Sequence, residues 1–218
     1  MNAPRSSPPL LVAATDDERL ARPDFDARLE ALLTAGCSAI WLRSRVLGGR
    51  DLLALARAVR ERCDAHGAEL WVGERADVAA LAQADLVQLP ERGLSVAGAR
   101  RAVGPGVAIG RSVHTIEAAL GAAREGADRL VVGTIFASSS HPGRQAAGPS
   151  LLRDVRSALA AQEGPPPLVA IGGMTPARVP EALRAGADGV AAIRALWDAK
   201  EPGAAVRAFL AALRRTAG

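Results

Sequence analysis

Apolar residues fall into short dense runs, separated by longer stretches in which they recur every three or four positions. The runs suit strands buried on both faces: Leu10 to Ala14, Ala39 to Arg43, Leu70 to Val72, Leu86 to Leu89, Val107 to Gly110, Leu130 to Val132, Leu168 to Ile171 and Val190 to Ile193. Helical spacing fills the intervals, over Asp17 to Ala35, Arg50 to His66, Arg75 to Ala82, Ser95 to Val103, Thr115 to Glu125, Ser150 to Gln162, Thr175 to Ala185 and Pro202 to Arg215. A phrase recurs at helix-to-strand junctions: Ala35-Gly36-Cys37-Ser38, Gln83-Ala84-Asp85, Gly126-Ala127-Asp128 and Gly186-Ala187-Asp188. Three of these four junctions hold Gly, which tolerates the left-handed conformation that closes helices. Eight strand–helix alternations of this kind predict an α/β fold, a single-domain (β/α)8 TIM barrel.

In such a barrel chemistry sits where strands end and helices begin. The residues there are strongly polar: Arg43, Ser44 and Arg45 after strand two, Glu74 and Arg75 after three, Glu91 and Arg92 after four, Arg111, Ser112 and His114 after five, Arg194 after eight. Arg43 and Arg45, two apart on an extended strand end, are expected to point the same way and to clamp an anion. Strand seven ends in Gly172-Gly173-Met174-Thr175-Pro176. Two bare glycines before a helix, with Thr175 as its cap and Pro176 in its first position, read as a backbone phosphate cradle. After strand six, Gly133-Thr134-Ile135-Phe136-Ala137-Ser138-Ser139-Ser140-His141 reads as a lid whose hydroxyls meet an anionic substrate. His141 and His114 are the candidate proton carriers, whereas His66, at a predicted helix end, is expected to be structural.

Composition narrows the class. The chain has 218 residues, 49% of them hydrophobic, enough for the core of one barrel spanning residues 10–218; the Pro- and Ser-containing residues 1–9 are expected to be loosely ordered. Cys37 and Cys63 are too few for a disulfide framework and are not spaced as a metal motif, so both are expected in the core of a cytoplasmic protein. No signal-peptide core and no run of about 18 apolar residues is present, so no membrane partner is expected. The pI of 10.3 accompanies a net charge of only +4, with arginines scattered among carboxylates, which argues against a nucleic-acid partner. Lys200 is the sole lysine and falls in a predicted surface turn, which excludes Schiff-base chemistry inside the barrel.

With these residues laid out, the chain resembles the thiamin phosphate synthase and TenI family over nearly its whole length. The resemblance rests on Trp41-Leu42-Arg43-Ser44-Arg45, Ile109-Gly110-Arg111-Ser112-Val113-His114-Thr115, Gly133-Thr134-Ile135-Phe136, Ala170-Ile171-Gly172-Gly173-Met174-Thr175-Pro176 and Gly186-Ala187-Asp188-Gly189-Val190-Ala191. It implies one of two activities. Synthases join hydroxymethylpyrimidine pyrophosphate to thiazole phosphate with loss of pyrophosphate, and TenI-type proteins tautomerise a thiazole carboxylate phosphate. Synthases carry an Asn-Asp pair after strand three and an Asp after strand four that hold magnesium; here those positions read Gly73-Glu74 and Glu91-Arg92-Gly93. The synthase lysine pattern after strand six is replaced by Ser138-Ser139-Ser140-His141.

The expectation is therefore a TenI-like thiazole tautomerase that needs no metal or other cofactor, on a small phosphorylated heterocyclic substrate, with a homodimer as its suggested assembly. Arg43, Arg45, Ser112, Thr134, Ser138, Ser140, Gly172, Gly173 and Arg194 are its expected ligands to substrate and phosphate, with His141 or His114 shuttling the ring proton. The alternative is a synthase with Mg2+ on Glu74 and Glu91. A third reading is a non-catalytic barrel that binds thiamin intermediates.

Overall fold

The computed structural model describes residues 10–137 and 146–216. Strands β1 (Leu10–Ala14), β2 (Ala39–Leu42), β3 (Glu69–Gly73), β4 (Leu86–Leu89), β5 (Ala108–Val113), β6 (Arg129–Val132), β7 (Leu168–Ile171) and β8 (Gly189–Ala192) pair in parallel, in chain order. β1 also pairs with β8, which closes the barrel. Helices α1 (Asp17–Leu20), α2 (Phe25–Thr34), α3 (Gly49–His66), α4 (Ala76–Leu81), α5 (Val96–Val103), α6 (Ile116–Arg124), α7 (Gly148–Leu159), α8 (Val179–Arg184), α9 (Arg194–Trp197) and α10 (Pro202–Thr216) surround it.

Alternation along each strand divides the apolar residues into two buried sets. Leu10, Val12, Ala14, Ala39, Trp41, Trp71, Leu86, Val131, Val169 and Ala191 fill the barrel, while Leu11, Ile40, Leu70, Val87, Ile109, Leu130, Leu168 and Val190 belong to the layer shared with the helices. Trp41 and Trp71, paired in register, sit with ring centroids 6.3 Å apart at 50°. Both cysteines are buried in the outer layer, and burial pushes each thiol up to about 12.

Four local expectations need correction. The helix expected over Asp17 to Ala35 is two, because Pro23 lacks an N–H and disfavours a helical residue before it. Asp16 caps α1 by accepting from the Arg19 N–H at 3.0 Å. α8 starts at Val179, not Thr175: the Thr175 carbonyl accepts from the Arg178 N–H at 3.0 Å, forming a separate turn, and Pro180 takes the first-turn position expected for Pro176. β5 continues to Val113, so Arg111 and Ser112 are strand residues. β8 stops at Ala192, and the extra helix α9 slides Trp197 against Phe25, stacked at 5.2 Å.

The recurring junction phrase has a shared use at the N-terminal end of the barrel. Asp85, Asp128 and Asp188 each accept from the first free N–H of the preceding strand, at 2.7 Å in all three cases, from Leu70, Ile109 and Leu168. Each also binds a helix arginine, Arg60, Arg100 and Arg156 respectively. Ser38 stands in the same place and accepts from the Leu11 N–H at 3.1 Å.

Candidate active site

A cavity of about 1050 Å3 opens at the C-terminal ends of the strands, lined from every side of the barrel. On the β7–β8 side stand Gly172, Gly173 and Arg194. Gly172 and Gly173 adopt φ of +102° and +60°. A Cβ on Gly172 would come 2.5 Å from Thr134 Cγ2, and one on Gly173 would come 2.5 Å from the Ala137 carbonyl oxygen. Glycine is required there because the chain after β6 lies directly on it, with the Ile135 and Phe136 N–H groups donating to the Ile171 and Gly172 carbonyls at 2.9 and 3.1 Å. Thr134 is thereby held at the cavity wall, and Arg178 Nη1 donates to the Gly173 carbonyl at 2.5 Å while its guanidinium covers Phe136.

On the opposite arc, the loop between β2 and α3 is pinned to α1. Asp17 accepts from the Ser44 hydroxyl at 2.5 Å and from the Arg45 N–H at 3.0 Å. The Ser44 hydroxyl, followed by those backbone donors, holds the Asp17 carboxyl below the usual range. Arg43 and Arg45 both line the cavity, but β2 ends at Leu42, so they do so from a loop and not from an extended strand end. The Arg43 guanidinium lies 5.0 Å above the Trp41 ring, and its side chain makes no hydrogen bond with a described residue. Burial, then the nearby Arg45 charge, lowers its pKa. Arg92, after β4, lines the same side.

Between these arcs, His114 and Glu91 form a pair: the His114 N–H donates to Glu91 Oε1 at 3.2 Å, and its Nδ1 lies 2.9 Å from Oε2. Gln88, buried in the inward row of β4, donates to the Ser112 hydroxyl at 3.1 Å. It reaches across Gly110, where a Cβ would lie 1.9 Å from Gln88 Oε1. Arg111 is removed from the mouth: it is buried and donates to the Pro90 and Leu94 carbonyls at 2.7 and 2.8 Å, which shapes the loop after β4. Arg75 pairs with Asp77 on α4. Of the expected ligands, Arg43, Arg45, Ser112, Thr134, Gly172, Gly173 and Arg194 share the cavity with His114. Ser138, Ser140 and His141 lie outside the described residues, as does the segment 1–9. Trp41, Gln88 and Arg178 line the cavity without having been expected as site residues; for Trp41 and Gln88 the available signal was their inward parity, two positions before Arg43 and Pro90.

The carboxylates do not form a ready cation site. Among the described residues, no group of three or more His, Cys, Asp or Glu side chains could hold a metal ion. Glu91 is engaged by His114 and Asp17 by Ser44, leaving Glu74, at φ +63°, as the carboxylate on the β3 end.

Residues 11–196 match the family described as thiamine monophosphate synthase. The chain belongs to the thiamine monophosphate synthase family. A thiamine-phosphate synthase of Thermobifida fusca is 39% identical over 190 residues, covering 87% of this chain and 85% of that protein. The thiamine biosynthesis bifunctional protein ThiM/ThiE of Symbiobacterium thermophilum is 41% identical over 191 residues; the match takes in 87% of this chain and 39% of that longer protein. A solved thiamine phosphate pyrophosphorylase from Pyrococcus furiosus superposes with a TM-score of 0.82 at 28% identity, covering 96% of this chain and 97% of that one. These findings bear out the family resemblance and the barrel. The relatives are named for the synthase, however, so the TenI-like tautomerase expected first has no support from them. No helix among the described residues is long and apolar enough to cross a membrane.

Proposed function

We propose that this member of the thiamine monophosphate synthase family joins a pyrimidine pyrophosphate to a thiazole phosphate. The carrying observation is one cavity with anion-binding groups on two opposite arcs, the Gly172 and Gly173 backbone with Arg194 on one and Arg43, Arg45 and Arg92 on the other. A volume of about 1050 Å3 exceeds what one small heterocycle fills, and two electropositive ends suit two anionic substrates. In the reaction the methylene carbon–oxygen bond to pyrophosphate breaks, its electron pair leaving on pyrophosphate, and the thiazole nitrogen lone pair forms the new carbon–nitrogen bond. The diglycine backbone and Arg194 anchor the thiazole phosphate. The arginine arc takes the pyrophosphate, and a guanidinium suits its planar, two-toothed recognition. Bringing both partners into one oriented complex contributes to the rate, and the step needs no proton taken from the thiazole nitrogen.

Magnesium is the cofactor that this activity carries in the resemblance, and the donor set does not fit it well. Mg2+ is usually held by one or two carboxylates together with substrate phosphates. Of the carboxylates lining the cavity, Asp16 caps α1 and pairs with Arg19, Asp17 holds Ser44 and Glu91 holds His114, which leaves Glu74 to serve. A second reading, the metal-free tautomerase, is favoured by one observation: a carboxylate-oriented imidazole at the cavity wall is a suitable proton carrier.

Incubating the purified protein with both substrates and following pyrophosphate release and the joined product by mass spectrometry tests the first reading. Product formation is expected. Its absence, with turnover of thiazole carboxylate phosphate instead, would select the second.

A further inference from the structure

Cations outnumber available carboxylates on the arc assigned to pyrophosphate. Arg43, Arg45 and Arg92 line it, and none of their guanidinium groups makes a hydrogen bond or ion pair with a described residue. Arginines elsewhere in the barrel that lie beside a carboxylate are paired with it, as Arg19 with Asp198, Arg28 with Asp24, Arg60 with Asp85, Arg75 with Asp77 and Arg156 with Asp188. Arg43 is also half-buried and stacked on Trp41, so its charge is kept partly out of water with no protein anion bonded to it. A partly buried cation without an acceptor is costly unless something negative completes it.

The carboxylates on the same arc are spent elsewhere. Asp17 binds the Ser44 hydroxyl and the Arg45 and Val46 N–H groups, Asp16 caps α1, and Glu91 holds both the backbone and the ring of His114. Glu74 is one carboxylate against three guanidinium groups.

We infer that Arg43, Arg45 and Arg92 neutralise a bound pyrophosphate directly, doing in this chain what a carboxylate-held divalent cation does elsewhere, so that pyrophosphate binding and release proceed without a metal ion. This rests on the coupling reading for its place in a reaction, but its binding content stands alone. The burial that depresses the Arg43 pKa agrees with it, since an anion arriving there recovers the desolvation already incurred.

The test measures inorganic pyrophosphate binding by titration calorimetry, in excess EDTA and in magnesium, with the full chain and with Arg43→Gln and Arg92→Gln. The expected result is binding in EDTA, weakened about tenfold or more by each substitution, the loss of one or two charge-assisted hydrogen bonds. Arg92 is exposed, so its variant keeps the test valid if Arg43→Gln fails to fold. Binding that requires magnesium, or that ignores both substitutions, overturns the inference. The coupling assay under the same two conditions separates the two proposals. Product in EDTA supports both, and product only with magnesium overturns this inference while the coupling reading stands. No product in either condition sinks the coupling reading, and calorimetry alone then decides the inference.

Discussion

At the residue scale, two glycines carry more than the sequence pattern assigned to them. The sequence suggests Gly172 and Gly173 as a phosphate cradle because two bare residues follow a buried strand and precede a helix. What local pattern could not show is that the chain after β6 lies on them, Thr134 Cγ2 and the Ala137 carbonyl each occupying the place of a Cβ at 2.5 Å. Gly172→Ala is therefore expected to cost about 1–3 kcal/mol from positive φ and the clash, and to weaken phosphate binding about tenfold. Thermal unfolding and calorimetry with inorganic phosphate check the two parts; unchanged affinity in a folded variant would remove the cradle. Asp17 offers a pH test. Its folded pKa is lowered, so its contribution is complete above the unfolded value, about 3.9, and is lost as pH falls through the folded one. The protection factors of the Arg45 and Val46 amides, corrected for the intrinsic exchange rate at each pH, should then fall in acid, with hydrogen-exchange NMR as the measurement, while those of the β4 strand stay high.

At the element scale, the strand count and most helices could be read directly, because buried parallel strands are dense in apolar residues and the helices keep a 3.6-residue spacing. The failures lie at ends. Pro23 split one helix, and α9 went unseen because Arg194-Ala195-Leu196-Trp197 is a single turn, too short to show a period. The junction phrase was legible as punctuation but not as chemistry: Asp85, Asp128 and Asp188 each bridge the previous strand's N–H and a helix arginine, partners 15 to 32 residues away. Asp85→Ala leaves the Leu70 N–H unbonded and removes one of the carboxylates that Arg60 pairs with, Asp64 and the Ala68 carbonyl remaining. The expected loss is about 1–3 kcal/mol, or a Tm lower by roughly 2–4 °C per kcal/mol in a chain of this size. Ser38→Ala, which removes a neutral hydroxyl from the equivalent bond to the Leu11 N–H, should cost less, and equal losses would mean that the charge of Asp85 contributes nothing.

At the scale of the whole molecule, the barrel separates stability at its N-terminal end from chemistry at its C-terminal end. The apolar runs that mark strands three and six begin at Leu70 and Leu130, whereas β3 and β6 begin one residue earlier, at Glu69 and Arg129. Their side chains turn inward and meet 60 residues apart in sequence, Arg129 Nη1 at 2.9 Å from Glu69 Oε2, which also accepts from Trp71 Nε1 at 2.7 Å. Both are nearly inaccessible, at 2% and 5% exposure, so removing one charge strands the other. Glu69→Gln should cost about 3–5 kcal/mol, whereas replacing Glu69 and Arg129 together by methionine should recover most of that and retain chiefly the loss of the Trp71 acceptor, about 1 kcal/mol. Denaturant unfolding of Glu69→Met, Arg129→Met and the double variant closes the cycle. The same proteins, measured folded, should bind phosphate as the parent does, because Trp71 and the barrel's apolar rows lie between this pair and the diglycine. Loss of phosphate affinity in the stable double variant would show that the two ends are coupled, and that the arginine-rich mouth depends on charge buried at the barrel's opposite end.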